Sequence, residues 1–161
     1  MSGMKNYLII SLLILSVGFP QQEYNSNDLI EMDNGLFTVK FSDEPITGMV
    51  YGYFGEVGNL KKVNIGNVLN GKKEGKWVEY YHSTGRKMYE HYYKDGVRDG
   101  LHTSWYENGK KKIEGTFKDD KHDGLHTTWY ENGQMKIQNE FKDGNLVFTI
   151  SSWNEDGSVK E

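Results

Sequence analysis

Histidines and carboxylates are the side chains in this sequence that could do chemistry, because the chain contains no cysteine. His122 and His126 are four residues apart, a spacing that brings two metal ligands together on a helix but not across a turn and a strand. Glu107 and Glu131 could act as an acid and a base, yet both stand in a turn motif that recurs along the chain. Hydrolysis requires an acid and a base in different environments. The sequence therefore predicts no catalytic residue, no metal ligand and no cofactor.

The turn motif belongs to a repeat with a period of 24 residues. The decapeptide GLHTSWYENG begins at Gly100, and GLHTTWYENG begins at Gly124. Two residue types keep the same register along the chain, namely the tryptophans Trp105, Trp129 and Trp153 and the turn glycines Gly85, Gly109, Gly133 and Gly157. A fixed period of this length is typical of repeat proteins, in which each unit packs only on its neighbours.

Each unit is predicted to be a β-hairpin. The chain has 19 glycines, 14% aromatic residues and 2 prolines, a composition that favours short strands joined by glycine turns over helices. Two short runs flank each ENG turn, and a second turn such as KDDKHDG follows them. The sequence therefore predicts an all-β fold, an elongated single antiparallel sheet of tandem β-hairpins with a 24-residue period.

The length of the ENG loop determines which side chains share a face of the sheet. A two-residue Asn-Gly loop would place Trp105 on the face opposite Phe117 and would divide the apolar residues. A three-residue loop with a left-handed Gly109 would place them on one face. We therefore expect a type I turn with a glycine bulge and a structural core formed by Trp105, Ile113, Phe117, Trp129, Ile137 and Phe141.

The same register predicts a polar and aromatic stripe on the opposite face, formed by His102, Tyr106, His126 and Tyr130. Tyrosine and histidine offer flat, amphipathic surface to a partner, so the stripe is a candidate interaction face. The alternative is that these side chains only pair with each other across strands on a solvated face.

The N-terminus resembles a secretory signal peptide. Lys5 precedes the apolar run from Tyr7 to Phe19, and small residues allow cleavage after Gly18. The run is short for a membrane span, although an uncleaved anchor and a cytoplasmic protein are the alternatives. We expect a signal peptide over residues 1–18, a flexible lead-in over 19–33 and the repeat domain over 34–161. The mature protein would then be periplasmic, secreted or attached to the envelope.

Charge excludes one class of partner. The formal net charge is −4, and 19 basic residues are interspersed with 23 acidic ones. No large basic surface is expected, so a nucleic acid is not a predicted partner. Lysine clusters such as Lys110 to Lys112 could touch an anionic membrane surface, but the acidic residues around them weaken that field.

The repeat text resembles a known family. The pattern of WYENG followed by an aromatic residue and Lys-Asp is similar to the MORN-repeat variant of bacterial antitoxin-like, YwqK-type repeat proteins, over residues 34–161. This resemblance implies an elongated, twisted sheet of hairpins that serves as an interaction scaffold or lies against a membrane. It also implies an antitoxin-like role for some members.

The sequence as a whole predicts a non-catalytic, exported repeat scaffold that mediates protein–protein interaction at the cell envelope. The alternatives are an antitoxin-like inhibitor of a partner toxin, a binder of anionic lipid or glycan, and a hydrolase. An inhibitor should be encoded beside a toxin, a lipid binder should bind vesicles in a salt-dependent way, and a hydrolase should have one acidic pocket out of register with the repeat.

Overall fold

The computed structural model describes residues 22–160. The signal peptide predicted for residues 1–18 lies outside this range. Among the described residues, no helix has the length and the apolar character needed to cross a membrane. The helical structure in this part of the chain is one 3-10 turn, Ser26–Asp28.

Thirteen strands form the described part of the chain. They are β1 (Glu23–Asn25), β2 (Leu29–Glu31), β3 (Phe37–Val39), β4 (Gly48–Phe54), β5 (Lys61–Leu69), β6 (Lys72–Tyr80), β7 (Lys87–Lys94), β8 (Val97–Trp105), β9 (Lys111–Lys118), β10 (Lys121–His122), β11 (Gly124–Trp129), β12 (Met135–Lys142) and β13 (Asn145–Ser152). The large sheet has the order β1-β4-β5-β6-β7-β8-β9-β11-β12-β13, with β10 beside β9. Its pairs are antiparallel except for β1 with β4. The predicted all-β fold of consecutive hairpins is confirmed.

The N-terminal end of the sheet differs from the predicted organisation. Strand β1 begins at Glu23, inside the segment expected to be a flexible lead-in, and pairs with β4. Strands β2 and β3 form a separate two-stranded sheet, so the chain does not consist of one sheet alone. This small sheet contributes Leu29, Phe37 and Val39 to an apolar cluster around Ile46, Val50, Val68 and Trp77.

The ENG turns have the predicted loop length. The backbone N–H of Gly109 donates to the carbonyl of Tyr106 at 2.8 Å, and the N–H of Tyr106 donates to the carbonyl of Lys110 at 2.8 Å. Gly109 has φ +88°, in the left-handed region. The three-residue loop with a left-handed glycine is therefore confirmed here, and Gly133 closes an equivalent turn. The loop that ends at Gly85 is one residue longer, because the N–H of Gly85 donates to the carbonyl four residues before it.

A second irregularity, inside the strands, changes the register after each turn. Trp105 pairs with Lys111, whereas the preceding Ser104 pairs with Ile113. Lys112 is therefore an extra residue on β9, which makes this position a β-bulge. The sequence gives no glycine or proline at this position to mark it.

The bulge recurs at the period of the repeat, with Lys136 between β11 and β12 and with Met88 between β6 and β7. Because side chains alternate along a strand, one extra residue moves the rest of the strand to the opposite face. The expectation that the six predicted core residues share a face is therefore wrong. They divide into Trp105 and Trp129 on one face and Ile113, Phe117, Ile137 and Phe141 on the other.

Candidate interaction surfaces

One face of the sheet carries a row of aromatic rings. We call it the histidine row, and it consists of His91, His102, Phe117, His122, His126 and Phe141. The imidazole rings of His91 and His102 are stacked, with centroids 4.4 Å apart and Nδ1 atoms 3.1 Å apart. Phe117 meets the rings of both His102 and His126 edge to face. His102, Phe117 and His126 are buried, at 8%, 7% and 6% exposed, whereas His91, His122 and Phe141 are partly exposed.

Burial favours the neutral imidazole at His91, His102 and His122 by lowering the pKa of each. The pKa of His102 is lowered from 6.5 to about 4, mainly by burial and also by His91, His126 and Arg98, because each would face the imidazolium as a like charge. Burial is also the main reason why the pKa values of His91 and His122 are lowered. The guanidinium carbon of Arg98 lies 4.2 Å from the centroid of the Phe117 ring, and the guanidinium forms an ion pair with Asp120 at 2.8 Å, so the charge beside the row is balanced.

The structure brings His122 and His126 together across the turn, contrary to the expectation from their spacing, with ring centroids 4.3 Å apart. Nδ1 of His122 is 3.1 Å from Nε2 of His126, and that Nε2 is 2.9 Å from the carbonyl oxygen of Thr116. The His126 ring also covers Gly115, where an added Cβ would lie 2.2 Å from Nδ1. Among residues 22–160, no group of three or more histidine, cysteine, aspartate or glutamate side chains could hold a metal ion.

Tyrosines near the ENG turns form a ladder between units. Their hydroxyl groups donate to backbone carbonyls about one repeat further along the chain, as Tyr81 to Trp105 (2.8 Å), Tyr106 to Trp129 (2.7 Å) and Tyr130 to Trp153 (2.9 Å). Burial is the first cause of the raised pKa of Tyr81 and of Tyr106, which keeps these hydroxyls protonated as donors. The ladder therefore ties each hairpin to the next.

The candidate interaction face predicted from the sequence does not exist as one face. His102 and His126 are buried in the histidine row, on the same face as Phe117, because the bulges at Lys112 and Lys136 reverse the expected register. Tyr106 and Tyr130 lie at the turns and bond to the next unit. All four residues thus hold the fold together.

The opposite side of the same strands is the more accessible surface. We call it the tryptophan face, and in β8 and β11 it presents Leu101, Trp105, Leu125 and Trp129. Leu101 and Leu125 are 43% and 45% exposed, and both tryptophans are partly exposed. Sequence reasoning missed this surface because it placed the tryptophans in the core.

Each tryptophan of this face is accompanied by an ion pair. Nζ of Lys87 lies 5.6 Å from the ring centroid of Trp105 and 2.8 Å from Glu90. The next unit repeats the arrangement. Nζ of Lys111 lies 5.6 Å from the ring centroid of Trp129 and 2.5 Å from the carboxylate of Glu114. The face therefore combines exposed apolar side chains with charges of both signs, and the pattern has the period of the repeat.

A comparison with protein families matches two of the repeat units. Residues 98–119 and 123–143 match the model of the MORN repeat variant. These segments contain β8 with β9 and β11 with β12. The resemblance seen in the sequence is thus supported for the MORN repeat, and the chain is similar to that repeat over these two units. No curated protein and no solved structure matches the chain.

Proposed function

We propose that the chain is a non-catalytic repeat scaffold that binds a protein partner through the tryptophan face. The observation that supports this proposal is the repetition of an exposed leucine, a tryptophan and a lysine–glutamate pair in successive units. MORN repeats commonly bind proteins or lipids, so a binding role agrees with the family match. Tandem units then supply several similar patches to one partner.

The chemistry of the face favours a protein over an anionic membrane. Protein interfaces are enriched in tryptophan, and a few such anchors carry most of the binding free energy. Lys87 and Lys111 are already paired with Glu90 and Glu114, so the face has little net positive charge to attract lipid headgroups. A partner with apolar side chains and mixed charges fits this surface best.

The proposal includes export to the cell envelope, which follows from the signal-like sequence over residues 1–18. Intact-mass analysis of the protein from a secreting host tests it. A chain that begins at or near Phe19 supports export, whereas a full-length chain in the soluble cytoplasm rejects it.

The binding proposal is tested with a double variant, Leu101→Glu with Leu125→Glu, used as bait in envelope extract beside the wild-type chain. The matched control is Leu60→Glu with Leu69→Glu, because these leucines are 54% and 50% exposed and lie outside the tryptophan face. If the partner buries Leu101 and Leu125, each leucine should contribute more than about 1 kcal/mol to binding. The partner's affinity should therefore fall at least about tenfold in the first variant and not in the control.

Thermal melts establish that both variants are folded, and quantitative mass spectrometry measures the captured partner. Unchanged capture by the folded double variant would exclude the tryptophan face. Salt-dependent binding to anionic vesicles, lost in the double variant, would favour the lipid alternative. A captured toxin whose activity the chain suppresses would identify the antitoxin-like alternative instead.

A further inference from the structure

Strand β13, at one edge of the large sheet, carries exposed apolar side chains. Four of its side chains are about half exposed, namely Leu146 (54%), Val147 (56%), Phe148 (53%) and Ile150 (44%). At one end of this edge, the N–H of Lys160 donates to the carbonyl of Ser152 and Trp153 pairs with Val159. Within residues 22–160, no strand pairs with the outer edge over residues 145–151.

In earlier units the equivalent edge is covered. The 24-residue period aligns β13 with β8 and β11, so Ile150 occupies the place of His102 and His126. Those histidines are buried because β9 and β12 pair with β8 and β11 and bring Phe117 and Phe141 against them. The edge of β13 therefore has the position of an interface that the repeat fills elsewhere.

The irregular pairing of β13 with β12 does not prevent its outer side from pairing with another strand. Strand β13 has register shifts toward β12, and β8 has one toward β7. On its outer side β8 nevertheless pairs with β9 without interruption from Gly100 to Ser104. By the same geometry, the outer side of β13 can accept a regular strand.

The two ends of the large sheet differ in how they are protected. Strand β1, at the N-terminal end, has three residues, and Glu23 within it forms an ion pair with Lys62. Strand β13 has eight residues, Asn145–Ser152, with no charged residue and no proline. Natural sheets use short strands, charges and proline to prevent pairing at their edges, so β13 lacks the usual safeguards.

We propose that β13 pairs in antiparallel fashion with β13 of a second copy of the chain, which makes a twofold dimer. Toward β12, Leu146 pairs with Phe141 and Phe148 pairs with Glu140, so Val147 and Ile150 are extra residues and the apolar side chains are divided between the two faces of the strand. Along the chain, Leu146, Phe148 and Ile150 are spaced two residues apart and symmetrically about Phe148. A twofold axis beside Phe148 sets this residue opposite its own copy and Leu146 opposite Ile150. The other sheet edge of a second copy is the short, charged β1, which is a poorer match.

The dimer is tested by sedimentation of the full chain across the micromolar range. The wild-type chain should be a dimer in equilibrium with monomer. Phe148→Lys places two like charges across the axis and should raise the dimer dissociation constant about tenfold or more. Thr149→Pro should have the same effect because proline removes a backbone donor from the edge. Leu60→Lys is the control, since Leu60 has the exposure of Leu146 and lies elsewhere.

Cross-linking locates the axis independently, because the chain has no native cysteine. Phe148→Cys should form a disulfide-linked dimer on mild oxidation, in much higher yield than Leu60→Cys. A wild-type monomer at every concentration would overturn the proposal. So would a dimer that survives both edge variants, or growth into open, concentration-dependent chains. Melting curves of each variant ensure that a loss of dimer is not a loss of fold.

Discussion

Acid should destabilise this protein through the buried imidazole of His102. The ring is 8% exposed, stacks on His91 and meets Phe117 edge to face. Burial is the main cause of its lowered pKa, and the like charge that His91, His126 or Arg98 would present adds to it. In the unfolded chain the same imidazole is solvated and titrates near its ordinary pKa.

The size of the effect follows from the two pKa values. The pKa of His102 is 6.5 in the unfolded reference and about 4 in the folded protein. Between these values the unfolded chain binds more protons, so the free energy of unfolding falls by about 1.4 kcal/mol for each pH unit of acidification. The contribution of neutral His102 to the free energy of unfolding is fully present above pH 6.5 and is lost as the pH falls toward 4. From about pH 7.5 to about pH 5 the loss should be about 2 kcal/mol.

Urea unfolding followed by tryptophan fluorescence, at those two pH values and constant ionic strength, measures this loss. His102→Gln cannot take up the proton, so its pH dependence should be smaller than that of the wild type by about 2 kcal/mol. The lowered pKa values of His91 and His122 leave a remaining dependence of the same sign. His82→Gln, outside the histidine row, serves as the control for replacing a histidine elsewhere in the sheet.

The outcome that contradicts this reasoning is an equal pH dependence in the wild type and in His102→Gln. It would mean that the folded protein accepts a proton at His102 without cost, and hence that the row is hydrated. A lower stability of His102→Gln at both pH values would not have this meaning, because it would report only the lost packing against Phe117.

Three further substitutions test the contacts between and within hairpins. Tyr106→Phe removes the hydroxyl that donates to the carbonyl of Trp129, so urea unfolding should show a loss of about 1 kcal/mol. Gly115→Ala drives a methyl group into the His126 ring and should cost about 2 to 3 kcal/mol. Gly109→Ala meets no atom within 4 Å and should cost about 1 kcal/mol, from its left-handed φ alone. Equal losses in the two glycine variants would contradict the packing of the ring.

The hairpins and their turns could be predicted because local residues determine them. An ENG loop requires a left-handed residue at its third position, and Gly109 and Gly133 provide it at the repeat period. The all-β class follows from the same turns and from the aromatic content of the strands. These features depend on a few adjacent residues, which a single sequence displays.

The faces of the sheet could not be predicted from the turns, because the bulges at Lys112 and Lys136 carry no residue signal. A bulge of this kind tolerates most side chains, unlike one that needs a left-handed glycine. One indication was present, since a glycine within a strand often marks the close approach of another side chain. Gly115 is such a residue, and the ring of His126 covers it.

The buried apolar side chains explain why the two ends of the sheet differ. Five of the six that are buried among residues 22–160 precede residue 80, namely Ile46, Val50, Val68, Trp77 and Val78, and the sixth is Phe117. In the later units the buried positions are held largely by His102, Thr103 and their counterparts one repeat later. These units depend on their neighbours for packing and for the tyrosine ladder, as expected of a repeat array. Within residues 22–160, β13 lacks the partner strand that covers the outer side of β8 and β11, and pairing with a second copy would supply one.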